Sequence, residues 1–185
     1  MPETNRTEYD GAKWMRSPNY DIGRGGAGPE RLEVHLLQGV GGWFQNPESG
    51  ASTHYVVDQK GDVVQCVREK DTAWGNGRIE KGAKKWWNKT GNPNRVTISI
   101  EHVKSARDNS NQLTTAQKKA SFKLIANIIK RNPWIKPKWA DDTGGITGHH
   151  SISPKSRAKC PGPFPWDELF QYLNKQGNQR FIKKT

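Results

Sequence analysis

Two cysteines in 185 residues are too few for a disulfide scaffold or a four-thiolate metal module. No apolar run approaches the roughly 20 residues of a membrane-spanning helix. The opening residues, MPETNRTEYDGAKWMRS, contain no apolar stretch of the kind that forms a secretory leader. Apolar residues are scarce as well, at 32%. Eight tryptophans nevertheless argue against disorder, because a chain without a core rarely carries so many large aromatics. A single domain of this size buries about 70% of its unfolded surface without covalent staples. Acids are outnumbered: 18 Asp and Glu stand against 30 Lys and Arg, a formal net charge of +12. The expectation is a soluble, basic, monomeric protein made in the cytoplasm. Its charge suits an anionic partner, whether nucleic acid, anionic lipid or the bacterial cell wall.

The positive charge is concentrated. Six cations between residues 78 and 95 stand against Glu80 alone and flank Trp86 and Trp87. Residues 174–185 carry Lys175, Arg180, Lys183 and Lys184 and no acid. Residues 1–29, with Gly23-Arg24-Gly25-Gly26, read as an irregular lead-in. Residues 31–37 alternate as a first strand. Residues 53–58 and 63–67, joined by Lys60-Gly61-Asp62, read as a hairpin. Residues 96–103 form the clearest strand, with Val96, Ile98 and Ile100 on one face and Thr97, Ser99 and Glu101 on the other. Thr114 and Gln117 have capping-box spacing, and Ala120, Leu124, Ile125, Ile128 and Ile129 form a stripe at helical period. That helix should stop near Asn132, before Pro133. A second helix follows Pro165, with Trp166, Leu169, Phe170 and Leu173 as its apolar face. The stretch 136–165 between them is loop-rich. No repeat or composition break divides the chain, so one domain over 30–173 is expected between the lead-in and a basic tail at 174–185.

The histidines and cysteines are few enough to weigh one by one. Cys66, in VVQCV, fits a small buried hydrophobe. Cys160 lies in Lys159-Cys160-Pro161-Gly162-Pro163, too polar and proline-rich for a core segment. His35 sits in the first strand, and His149 and His150 follow Gly148. Two imidazoles and a thiolate would give zinc three ligands and leave a fourth position for water. His35 and His149 are 114 residues apart, so spacing alone leaves this one option among several. Neighbouring His149 and His150 cannot easily point the same way, so at most one should bind.

The segments VHLLQG, WFQNP, ASTHYVVDQKGDVVQCV, DTAWGNG, NPNRVTISIEHV, LTTAQ, GITGHHSISP and CPGPFPWDEL occur in this order. In them the chain resembles the zinc-dependent N-acetylmuramoyl-L-alanine amidases of the type-2 class, related to phage lysozyme-type amidases and peptidoglycan recognition proteins. The resemblance implies an α/β fold with a central mixed β-sheet flanked by helices and zinc at one edge of the sheet. It implies zinc ligands at His35, His149 and Cys160, and a general acid/base at Glu101. His102, next along that strand, is expected to be structural. Many relatives carry Lys two residues before the third ligand, where this chain has Ala158; Arg157 or Lys159 is then the expected oxyanion cation. Where some relatives have Tyr, this chain has Thr53. Trp74, Trp86 and Trp87 are expected either to line a groove for glycan or peptide or simply to cover the sheet.

The implied reaction is hydrolysis of the amide joining the lactyl group of N-acetylmuramic acid to L-alanine of peptidoglycan. A phage-type endolysin, acting on the wall after release and drawn to anionic wall polymers, is the leading expectation, with no nucleic-acid partner. A non-catalytic peptidoglycan-binding module and a cytosolic amidase recycling muropeptides are the alternatives.

Overall fold

The apolar alternation at residues 31–38 and 97–104 has a direct structural counterpart, because the two segments lie side by side as parallel strands. The computed structural model describes residues 6–38, 41–105 and 110–182. Its strands are β1 (Ala12–Trp14), β2 (Tyr20–Asp21), β3 (Arg31–Gln38), β4 (Tyr55–Val57), β5 (Val63–Gln65), β6 (Thr72–Ala73), β7 (Thr97–Lys104) and β8 (Gly145–Gly148). Its α-helices are α1 (Pro93–Val96), α2 (Thr115–Arg131) and α3 (Trp166–Ile182). The main sheet has the order β1-β5-β4-β7-β3-β8, and β2 and β6 form a separate antiparallel pair. Only the β4–β5 hairpin is antiparallel within the main sheet; its other neighbours run parallel. This is the expected mixed sheet flanked by helices.

Successive side chains of a strand point to opposite faces, which separates the core from the site. Leu32 and Val34 of β3, and Ile98 and Ile100 of β7, pack with Leu124, Ile125 and Ile128 of α2 and with Leu169 and Leu173 of α3. Burying each such side chain contributes roughly 1.5–3 kcal/mol. The opposite face carries Glu33 and His35 beside Ser99 and Glu101, all buried too. Strands inside a largely parallel sheet are covered on both sides, and this polar face is buried beneath the loops that surround it.

α2 starts and stops where its sequence signals lie. The Thr114 hydroxyl accepts the Gln117 N–H at 3.0 Å, and the Asn132 N–H closes the last turn on the Ile128 carbonyl. Only half of the capping box forms. The Gln117 amide donates instead to the carbonyls of Val57 and Val103, at 3.0 and 2.8 Å, tying the helix to β4 and β7.

Three stretches differ from expectation. The lead-in supplies β1, parallel to β5, and Arg24, whose buried guanidinium donates to the carbonyls of Glu69, Arg95 and Thr97. The loop-rich stretch supplies β8, parallel to β3. Its first residue, Gly145, lies so close to neighbouring backbone that a Cβ would sit 2.7 Å from the Lys138 carbonyl oxygen. The basic C-terminal stretch continues α3 as far as Ile182, with Lys175 exposed; Lys183 and Lys184 lie outside the described residues. Among the described residues, no helix is long and apolar enough to cross a membrane.

Candidate metal centre and active-site cleft

Three residues distant in sequence converge at the C-terminal ends of the parallel strands, beside the β8 edge. His35 comes from β3, His149 from the short 3-10 turn that follows β8, and Cys160 from the loop beyond. One ligand atom from each lies within 4.8 Å of the other two, and all three side chains are buried. Neither Cys160 nor Cys66 is in a disulfide. Cys66 packs against Phe44, Val56 and Val67, and burial pushes its thiol up to about 12. His150 faces away, with its Nδ1 3.1 Å from the Cys160 carbonyl oxygen.

Asn76, which no sequence signal singled out, decides the chemistry of the two imidazoles. The Thr97 hydroxyl donates to the Pro93 carbonyl at 2.9 Å, so its oxygen accepts the Asn76 amide N–H at 2.6 Å. That orients the Asn76 Oδ1 toward His35, whose Nε2 must then donate to it, at 3.1 Å. The Asn76 backbone carbonyl likewise takes the Nε2–H of His149 at 3.2 Å. Each neutral ring therefore carries its proton on Nε2 and a bare lone pair on Nδ1. Those two Nδ1 atoms face each other at 3.0 Å.

Two lone pairs at that distance repel unless a cation or proton sits between them. Protonation is disfavoured, because burial holds His35 well below its ordinary value and His149 down to about 4. A tetrahedral zinc 2.0–2.1 Å from each nitrogen would separate the two by roughly 3.3 Å, close to the spacing found. The donor set fits such an ion. The Nε2 bonds to Asn76 are the outer contacts that fix ring tautomer and orientation in histidine metal sites.

Glu101, on β7, completes the floor. Its Oε1 lies 3.8 Å from His35 Nδ1, and its Oε2 is buried without a hydrogen-bond partner. Burial raises this carboxyl to about 8, with the Arg157 charge opposing the rise. Arg157 also lowers both His35 and His149, so its charge is felt across the site. Lys104 is a second cation that sequence reasoning missed. It is 3% exposed, donates to the Pro161 carbonyl at 2.8 Å and is held up partly by Cys160, while burial brings it down to about 8. Glu33, two residues before His35 on the same face of β3, is fully buried with no hydrogen bond to either oxygen; its Oε1 lies 3.8 Å from His35 Nε2, and burial lifts the carboxyl well above the usual carboxylate range.

A cleft of about 680 Å³ opens over these groups. Trp43, Phe44 and Trp74 line it together with Arg157 and Lys159. Trp86 and Trp87 do not line it. Trp87 is fully buried, its indole N–H donating to Ser151 Oγ at 3.0 Å, because the Lys85–Lys89 turn rotates it inward against Val96 and Ile152. It has no surface to offer a ligand. His102 turns to the helix side as expected, with Nε2 2.8 Å from Ser121 Oγ and Nδ1 3.2 Å from the His35 carbonyl oxygen.

Residues 13–163 match the family described as N-acetylmuramoyl-L-alanine amidase. The chain belongs to this family. It is 31% identical over 148 residues to N-acetylmuramoyl-L-alanine amidase A of Achromobacter lyticus, covering 73% of this chain and 75% of that one. The fold is shared with an AmpD selenomethionine derivative (TM-score 0.66, 22% identity, 91% of this chain and 97% of that one). It is shared too with the amidase LysC of Clostridium intestinale (TM-score 0.60, 13% identity, 88% and 95%). The enzyme is thus an N-acetylmuramoyl-L-alanine amidase whose substrate is peptidoglycan.

Proposed function

We propose that this amidase is zinc-dependent and lyses bacterial cell walls in the manner of an endolysin. The observation that carries the zinc reading is the pair of Nδ1 lone pairs of His35 and His149 facing each other at 3.0 Å beside Cys160. His35, His149 and Cys160 would hold the ion, which supplies Lewis acidity and makes water nucleophilic near neutral pH. Glu101 takes the proton of the attacking water and returns it to the leaving nitrogen of L-alanine. A carboxyl shifted toward neutrality suits that exchange. Arg157 faces the negative charge that develops on the carbonyl oxygen. Trp43 and Trp74, about half and two-fifths exposed at the rim, offer flat apolar surfaces to a sugar ring or peptide.

The wall-lysing role rests on charge. The cations between residues 78 and 95 are all exposed, and the net charge of +12 favours polyanionic wall over small solutes. Screening shortens such attraction from about 10 Å at 0.1 M salt to about 3 Å at 1 M. Metal analysis should give about one zinc per chain, chelation should abolish turnover, and zinc should restore it; full activity in metal-free protein would sink the zinc reading. Lysis of whole walls should fall steeply with salt while cleavage of a soluble muropeptide barely changes. Cleavage of soluble muropeptides without wall lysis would assign a recycling role instead.

A further inference from the structure

A second polar cavity, of about 400 Å³, lies at the opposite end of β3 from the cleft. It shares no lining residue with the cleft, and Arg31 at its back precedes His35 by four positions, roughly 13 Å along an extended strand. Its lining includes Arg31, Trp86, Lys89, Arg95, Glu30 and Asn92.

Arg31 is 3% exposed and stacks on two rings, its Cζ 4.9 Å from the centre of Trp86 and 5.1 Å from that of Trp87. One terminal nitrogen donates to Glu30 at 3.1 Å and the other to the Asp141 carbonyl at 3.0 Å. Its Nε is buried with no hydrogen-bond partner. A buried cationic donor left unpaired is costly and calls for an explanation. Arg95 lies across Gly25 so closely that a Cβ there would meet its guanidinium at 2.9 Å; Gly25, at φ +59°, has none. Arg95 is exposed. At the rim Lys89 and Asp142 are 3.8 Å apart. Counting Arg31, Lys89 and Arg95 against Glu30 and Asp142, the lining carries one excess positive charge. Trp86 keeps part of its surface exposed beside these cations. An aromatic surface next to guanidinium donors is the chemistry that holds a sugar ring bearing an acidic group.

We propose that this cavity binds the glycan product of the enzyme's own reaction, a muramic acid ring carrying a free lactyl carboxylate. The proposal rests on the amidase activity. Hydrolysis breaks the bond between the lactyl carbonyl carbon and the L-alanine nitrogen. The water oxygen stays on the carbonyl carbon, and the peptide leaves with the nitrogen as an amine. Each turnover therefore leaves one new negative charge on one sugar of the strand, at a position that was a neutral amide before. The ring lies on Trp86 and its carboxylate meets Arg95, with the incompletely bonded Arg31 guanidinium behind it. A protein so held stays on a strand it has already processed, with the metal cleft free for the next stem peptide.

The test uses the full chain loaded with zinc and follows the Trp86 indole N–H resonance, assigned by its loss in Trp86→Phe. N-acetylmuramic acid should shift it saturably, with a dissociation constant on the order of millimolar, as a single small sugar allows. N-acetylglucosamine, which lacks the carboxylate, should bind at least fivefold more weakly. Arg95→Glu should abolish the shift and leave cleavage of a soluble muropeptide within twofold of wild type. An unmoved Trp86 resonance, equal binding of the two sugars, or wild-type binding by Arg95→Glu would each overturn the proposal. So would inorganic phosphate binding as tightly as N-acetylmuramic acid, since the sugar would then contribute nothing. The titration needs no turnover, so failure of wild type to cleave the muropeptide would count against the amidase reading alone.

Discussion

His35 and Glu101 are register partners on adjacent parallel strands, with Nδ1 of one 3.8 Å from Oε1 of the other. Their separation is set by the spacing of the sheet, about 4.8 Å between strands, rather than by a loop. Glu101→Gln keeps shape and leaves all three candidate ligands in place. Zinc content should be unchanged while kcat drops by about 10²–10⁴-fold. Turnover near that of wild type would show that another group moves the proton.

Asn76 anchors both imidazoles from behind, one through its side chain and one through its backbone. Asn76→Ala removes the contact to His35 and the amide's bond to Thr97, and keeps the backbone contact to His149. Zinc affinity should fall about 10–100-fold, the usual effect of losing such an outer partner. Competition with a chelator of known affinity measures it directly, and an unchanged affinity would refute the role.

Arg157 and Lys159 both line the cleft, and the charge of Arg157 acts on His35, His149 and Glu101. Removing a donor to a developing oxyanion typically lowers kcat by about 10²–10³-fold. Arg157→Ala should show such a loss and Lys159→Ala a small one, both with zinc retained. The reverse order would move the assignment to Lys159.

His54 is buried away from the metal site. The Ser99 N–H donates to its Nδ1 at 3.1 Å, and its Nε2 lies 3.0 Å from Arg24 Nη2 and 3.1 Å from the Asp71 carbonyl oxygen. A protonated ring would meet a donor at each nitrogen, the Ser99 N–H at Nδ1 and the Arg24 guanidinium at Nε2. Burial first, and Arg24 second, hold His54 well below its ordinary value. The unfolded chain binds this proton more readily than the folded one. Stability is therefore complete above about pH 6.5 and falls as the pH drops below it, by at most ~1.4 kcal/mol per pH unit for this group. Thermal midpoints between pH 7 and 5 should decline less steeply in His54→Gln than in wild type.

What could be read in advance follows from how each element is stabilised. β7 and α2 carry their own signals, an eight-residue alternation and a capped helical stripe, because each buries one face of local sequence. β1 and β8 are three and four residues long and owe their pairing to strands far away in the chain, so no local pattern announces them. The three candidate ligands were visible because imidazole and thiolate are rare and chemically distinctive. Asn76 was not, since an amide acts here only through hydrogen-bond direction, which sequence does not encode. Trp87 had two readings, a groove wall or a cover for the sheet, and no local pattern chose between them; one turn of 3-10 helix turns the ring inward.

β8 is the last strand of the sheet, paired with β3 on its inner side and held on its outer side by the short Trp139–Ile146 bridge, and two of the three candidate ligands follow it within twelve residues of its last glycine. Fraying of this edge would release His149 and Cys160 together, leaving His35 alone. Metal exchange and edge opening are then one event, with the rate of one set by the other. Zinc at 100 times its dissociation constant would suppress that opening by about 2.7 kcal/mol, roughly a hundredfold in amide hydrogen exchange along β8. The amides of β7, deep in the sheet, would exchange at nearly the same rate with or without the ion.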